Sequence, residues 1–117
     1  MMTILTKKVS SLTENEMRAL EEIKRRIRLC FPVHEFILFG SKARGDAKPD
    51  SDIDLLIITE RALDWRETDR VISETYEVNL THGTLFTVQP VALPDWDNGL
   101  WSGIALKQSI EEDGIIV

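Results

Sequence analysis

The 117-residue chain predicts a single α/β domain, a small mixed β-sheet with helices packed mainly on one face. Three observations predict it. Two short, continuous apolar runs, Phe36 to Phe39 and Leu55 to Ile58, are bounded by glycine, proline and polar residues, as buried strands are. Helical periodicity precedes the first run and follows the second. A third segment, residues 84–91 (TLFTVQPV), alternates as a half-buried strand does. The length suits one compact domain and is short for two.

In chain order, residues 1–12 (MMTILTKKVSSL) lack periodicity and are expected to form a loose tail on the domain 1–117. Thr13-Glu14-Asn15-Glu16 is a capping-box pattern. Met17, Leu20, Ile23 and Ile27 follow at helical spacing, giving a helix over about 14–30 that Pro32 stops. Its polar side carries Arg18, Glu22, Arg25 and Arg26, with Lys24 and Arg28 at the edges. Cys30, at an apolar helix end, is expected to fill the core. A strand over 35–39 leads to Gly40.

After the second strand, Asp64 is placed to cap a helix over about 65–79, with Val71, Ile72 and Tyr76 inward. His82-Gly83 makes a turn. In the third strand Leu85, Thr87 and Gln89 share one face and Phe86 and Val88 the other; Pro90 marks its end or a sheet edge. A last helix is expected from Pro94 to Glu112, burying Leu100, Ile104, Leu106 and Ile110. Gly114 closes it, and Ile115 to Val117 add a short strand. Trp65, Trp96 and Trp101 are read as core, although Trp96 and Leu100 lie one turn apart and could form an apolar edge.

Composition narrows the function. Hydrophobic residues make up 43% and charged ones 29%, which argues for a folded domain rather than a disordered chain. The net charge of −6 opposes sequence-independent binding to nucleic acid, which needs a basic face. It leaves room for a basic protein partner. One cysteine allows no intrachain disulfide. No apolar stretch approaches the roughly 20 residues of a membrane helix, and no signal-peptide core is legible. A cytoplasmic location is expected.

The chemistry concentrates in residues 36–58 (FILFGSKARGDAKPDSDIDLLII). Asp52 and Asp54 are two apart at the mouth of a strand, a spacing that puts both carboxylates on one face. Like charges so placed repel unless a cation lies between them. A hard divalent ion such as Mg²⁺ is often held by one or two carboxylates together with substrate phosphates. Gly40 permits close approach of backbone to a ligand, and Ser41 can open a helix whose free N–H groups suit phosphate. A phosphate cradle beside a carboxylate pair is the pattern of phosphoryl or nucleotidyl transfer. Lys48, Pro49 and Ser51 belong to the connecting turn, and Asp46 and Asp50 are read as turn residues. His34 and His82 lack the ligand spacing of a zinc site.

The run GSKARG followed by PDSDIDLLI resembles the signature of the DNA-polymerase-β-like nucleotidyltransferases. The short length is similar to that of the minimal nucleotidyltransferase (MNT) group, whose members pair with helical HEPN-domain proteins as toxin–antitoxin systems. The resemblance implies a polymerase-β-like core in which Gly40 and Ser41 hold the β- and γ-phosphates of ATP. Lys42 and Arg44 are candidates for charge compensation, Arg44 matching the motif's arginine. Asp52 and Asp54 would be the catalytic carboxylates and bind Mg²⁺. The implied activity is transfer of AMP from ATP to a hydroxyl of a HEPN-like partner, in the antitoxin role. Homo-oligomerisation is left open.

One feature departs from that pattern. Active members carry a third carboxylate on the following strand, yet TLFTVQPV has no Asp or Glu. Thr87 or Gln89 takes the position, and neither is a good base. Three explanations stand: one-metal, slow transfer; replacement by Asp95, Asp97 or Glu77; or a degenerate site in an antitoxin that acts by covering its partner.

Overall fold

The computed structural model describes residues 11–45, 51–98 and 104–117. Helix α1 (Glu14–Cys30) leads to strand β1 (Val33–Phe39) and the one-turn helix α2 (Ser41–Arg44). Strand β2 (Ile53–Thr59), helix α3 (Trp65–His82) and strand β3 (Phe86–Ala92) come next. Helices α4 (Leu93–Asn98) and α5 (Ala105–Asp113) and strand β4 (Ile115–Ile116) complete the order. The sheet runs β3-β2-β1-β4. β1 is antiparallel to β2 and β4, and β2 is parallel to β3 through the α3 crossover. The expected mixed α/β architecture is therefore present, with Pro90 on an edge strand.

Both faces of the sheet are covered, which is why β1 and β2 read as unbroken apolar runs. On one face, Leu20, Ile23 and Ile27 of α1 and Val71 and Val78 of α3 pack on Phe36, Leu38, Ile53, Leu55, Ile57 and Phe86. On the other, Trp96 of α4 and Ile110 of α5 pack on Ile37, Leu56, Ile58 and Val91. The two long helices thus share one face, and the opposite face carries only short ones. Asp54 and Thr87 belong to that second face by alternation along their strands.

Capping boxes open both long helices, Thr13 with Glu16 and Asp64 with Glu67. Arg26 ties the helices together, reaching Glu74 and Glu77 at 3.1 Å each. Helix α3 ends at Gly83, whose φ of 68° is easy for glycine, and Asn79 secures the turn to β3. The Asn79 amide donates to the Phe86 carbonyl at 2.9 Å and accepts from the Phe86 N–H at 3.0 Å.

Several expectations are corrected. Ile72 and Tyr76 are exposed, because α3 turns Val71, Thr75 and Val78 inward. Two adjacent apolar stripes were available; the one that is buried packs Val71 and Val78 into the core and lets Glu74 and Glu77 meet Arg26. Cys30 is exposed, since Phe31 takes the core position at the end of α1. Trp65 is exposed as well, whereas Trp96 is buried beneath the Lys107 ammonium. The expected helix from Pro94 to Glu112 is two helices, with Ile104 extended as the cap of α5. Gly99 and Gly103, weak helix formers, stand between them in sequence. Ile104 and Leu106 are exposed and only Ile110 is buried. His34 lies within β1 rather than at a loop end. The end of the expected tail is docked: Leu12 is buried, and the Ser11 hydroxyl donates to the Lys42 carbonyl. Residues 1–10, Asp46, Lys48, Pro49, Asp50, Leu100 and Trp101 lie outside the described residues.

Candidate active site

Pairing of β1 with β2 sets Phe39 opposite Asp54, so the Gly40 turn at the end of β1 arrives beside that carboxylate. Gly40 has φ 79° and ψ −157°, a region essentially reserved for glycine. The turn brings backbone and carboxylate so close that a Cβ on Gly40 would lie 2.4 Å from Asp54 Oδ2. Glycine is required here twice over, by its dihedrals and by the space.

From Gly40 the chain enters α2, whose first bonds run from the Ala43 and Arg44 N–H groups to the Gly40 carbonyl, both 3.1 Å. In such a turn the Ser41 and Lys42 N–H groups have no intrahelical acceptor. These two N–H groups open α2 directly after Gly40.

Pairing of β2 with β3 sets Asp54 opposite Thr87, and the Thr87 hydroxyl donates to Asp54 Oδ1 at 2.9 Å. Of the two residues left open by sequence, Thr87 therefore occupies the position beside the carboxylate. Gln89 stands opposite Leu56, and its amide donates to the Pro90 carbonyl. Asp52 is exposed one residue ahead of β2. Gly40, Ser41 and Asp54 are brought together, with Asp52 adjoining them in the chain.

Lys42 is directed elsewhere. Its side chain is buried, with Nζ 3.6 Å from Glu16 Oε2, and it links α2 to α1. Glu16 serves two ends at once, its other oxygen accepting from the Thr13 N–H at 2.9 Å. The capping box is legible in the sequence and this second contact is not, because a partner 26 positions away leaves no local pattern. Arg44 is exposed in the last turn of α2.

The candidate substitute carboxylates are engaged or distant. Glu77 pairs with Arg26 on the helical face. Asp95 lines a cavity with Thr59, Gln89 and Ala92 at the far end of β2 and β3, roughly 17 Å along the strand from Asp54. Asp97 is exposed on α4. Among the described residues no cluster of three or more His, Cys, Asp or Glu could hold a metal, and no helix is long and apolar enough to cross a membrane. The Asp54 carboxylate at the Gly40 turn, with Asp52 two residues before it in the chain, offers hard oxygen. It fits a divalent ion of the Mg²⁺ kind carried with a phosphate.

A protein adenylyltransferase MntA from Thermococcus cleftensis is 46% identical over 48 residues, 35% of this chain and 48% of the relative. The match thus spans about half the length of that relative. A crystal structure from Sulfolobus solfataricus, of a protein assigned as a nucleotidyltransferase, superimposes with a TM-score of 0.59 at 19% identity. That superposition covers 96% of this chain and 90% of the other. A toxin–antitoxin structure with AMP-PNP has the same TM-score at 16% identity, covering 89% and 72%. At these identities the two structures speak for the fold. The nucleotidyltransferase domain model matches residues 17–84, which take in Gly40, Ser41, Asp52 and Asp54 and stop short of β3. With more than half its length inside that match, the chain belongs to the nucleotidyltransferase domain family.

Proposed function

We propose that the chain is a Mg²⁺-dependent nucleotidyltransferase that moves AMP from ATP to a hydroxyl of a partner protein, as the antitoxin of a HEPN/MNT-type pair. The observation that carries this reading is the packing of Asp54 Oδ2 against Gly40, which joins a cation ligand to a phosphate-binding turn. The similarity to a protein adenylyltransferase supports AMP as the transferred group. The fold shared with a toxin–antitoxin protein supports a protein partner. A helical HEPN-like acceptor and a cytoplasmic location belong to the same proposal.

Asp52 and Asp54 would hold the ion, and the Ser41 and Lys42 N–H groups would orient the β- and γ-phosphates. The ion, when bound, supplies charge neutralisation at the triphosphate and at the α-phosphorus under attack. The acceptor oxygen forms a bond to the α-phosphorus while the bond from that phosphorus to the β-bridging oxygen breaks. Pyrophosphate leaves and the hydroxyl proton passes to solvent. Thr87, a neutral hydroxyl, is a poor base, so slow transfer is expected.

The same Thr87 favours a second reading, a degenerate site in an antitoxin that works by covering its partner. Incubation with α-labelled ATP, Mg²⁺ and a HEPN partner separates the two. The first reading expects label on the partner with the wild type and none with Asp52→Asn or Asp54→Asn. Neutralisation without labelling, unaffected by either substitution, would establish the second.

A further inference from the structure

We infer that Thr87 is a positioning residue that fixes the Asp54 carboxylate for one cation on its Gly40 side, so that the site loads a single divalent ion with its nucleotide. The inference rests on the nucleotidyltransferase reading above and concerns how that site is charged.

The two oxygens of Asp54 have different surroundings. Oδ1 accepts the Thr87 hydroxyl at 2.9 Å. Oδ2 lies over Gly40, at the opening of α2. A carboxylate shared by two metal ions presents one oxygen to each, the ions lying roughly 3.5–4 Å apart. Here a second ion at Oδ1 would meet, in place of another carboxylate, only the neutral Thr87 hydroxyl that donates to that oxygen, a ligand set too weak to hold it. Oδ2 remains, facing the phosphate cradle.

The arrangement is held from outside the site. The parallel register fixes Thr87 opposite Asp54. Asn79 grips both backbone groups of Phe86, the residue before Thr87, and so sets where β3 begins. Thr87 itself is exposed on an edge strand, so its substitution leaves the core intact.

The test counts Mn²⁺ by electron paramagnetic resonance on the intact chain with a non-hydrolysable ATP analogue. One Mn²⁺ per chain is expected for the wild type, and Thr87→Ser retains that count and affinity. Thr87→Val keeps one ion at roughly tenfold weaker affinity, the loss typical when a ligand's hydrogen-bond partner is removed. Thr87→Asp, which sets a carboxylate opposite Asp54, gains a second ion. Two ions on the wild type, or Thr87→Val binding as tightly as the wild type, would overturn the inference and leave the nucleotidyltransferase reading in place. Failure of the analogue to bind at all would remove both. Should Thr87→Asp fail to fold, the wild-type count and the Ser and Val affinities still decide.

Discussion

Gly40 and Asp54 share one small space: the Asp54 Oδ2 oxygen stands where a side chain on residue 40 would begin, 2.4 Å from its Cβ position. Gly40→Ala therefore acts on the carboxylate as well as on the turn. It forces a non-glycine residue into a glycine-only region, at a cost of about 1–3 kcal/mol, and pushes Asp54 off its present position. Thermal melting should show the destabilisation, and ATP titration of the still-folded variant should show binding lost. A variant that binds ATP normally would contradict the cradle.

Lys42 stabilises the fold rather than the nucleotide. Removing one member of a buried ion pair leaves an uncompensated charge, costing about 3–5 kcal/mol, whereas an apolar residue of similar shape and loss of the whole pair can be nearly neutral. Glu16→Ala should thus destabilise the protein strongly. The double substitution Lys42→Met with Glu16→Gln should recover most of that stability and bind Mg-ATP about as the wild type does. A large loss of ATP affinity in the stable double variant would return Lys42 to the site.

Asn79 connects stability to the site. Asn79→Ala strands the N–H and carbonyl of Phe86 in a partly buried place, and each stranded group costs about 1–3 kcal/mol. Chemical denaturation should register that loss. Hydrogen exchange should show the start of β3 loosened, while α1 stays protected.

Acid sensitivity follows from the α1–α3 network. Hydrogen bonds from Arg25 and then Arg26 hold the Glu22 carboxyl at about 2, against 4.5 when free. A carboxyl lowered in the folded state contributes its full stability above about pH 4.5. That contribution is lost as pH falls toward about 2. Glu67 behaves alike under Arg61 and the Asp64 N–H. Arg26→Gln removes a donor to Glu22, Glu74 and Glu77. Its melting temperature should fall less steeply over that pH window than the wild type's. Parallel slopes would contradict the assignment.

Local physics made much of this legible in the chain. The capping box at Thr13 and the cap at Asp64 named both long helices, and the unbroken apolar runs named the central strands because both faces are covered. The closeness of Gly40 and Asp54 was legible because it depends on short spacings at the ends of two neighbouring strands. What escaped depends on distant partners. The rotation of α3 depends on core contacts for Val71 and Val78 and on Arg26 of another helix, and the direction of Lys42 on Glu16. The choice of Thr87 over Gln89 is a matter of sheet register, which alternation within β3 alone does not determine.

The most direct test of the central claim is a calorimetric titration of ATP, with and without Mg²⁺, into the wild type and the Asp52→Asn/Asp54→Asn double variant. The account predicts Mg²⁺-dependent binding to the wild type that the folded double variant loses. Absence of binding by the folded wild type, or binding that survives both substitutions, would contradict a nucleotide site built on Gly40 and Asp54.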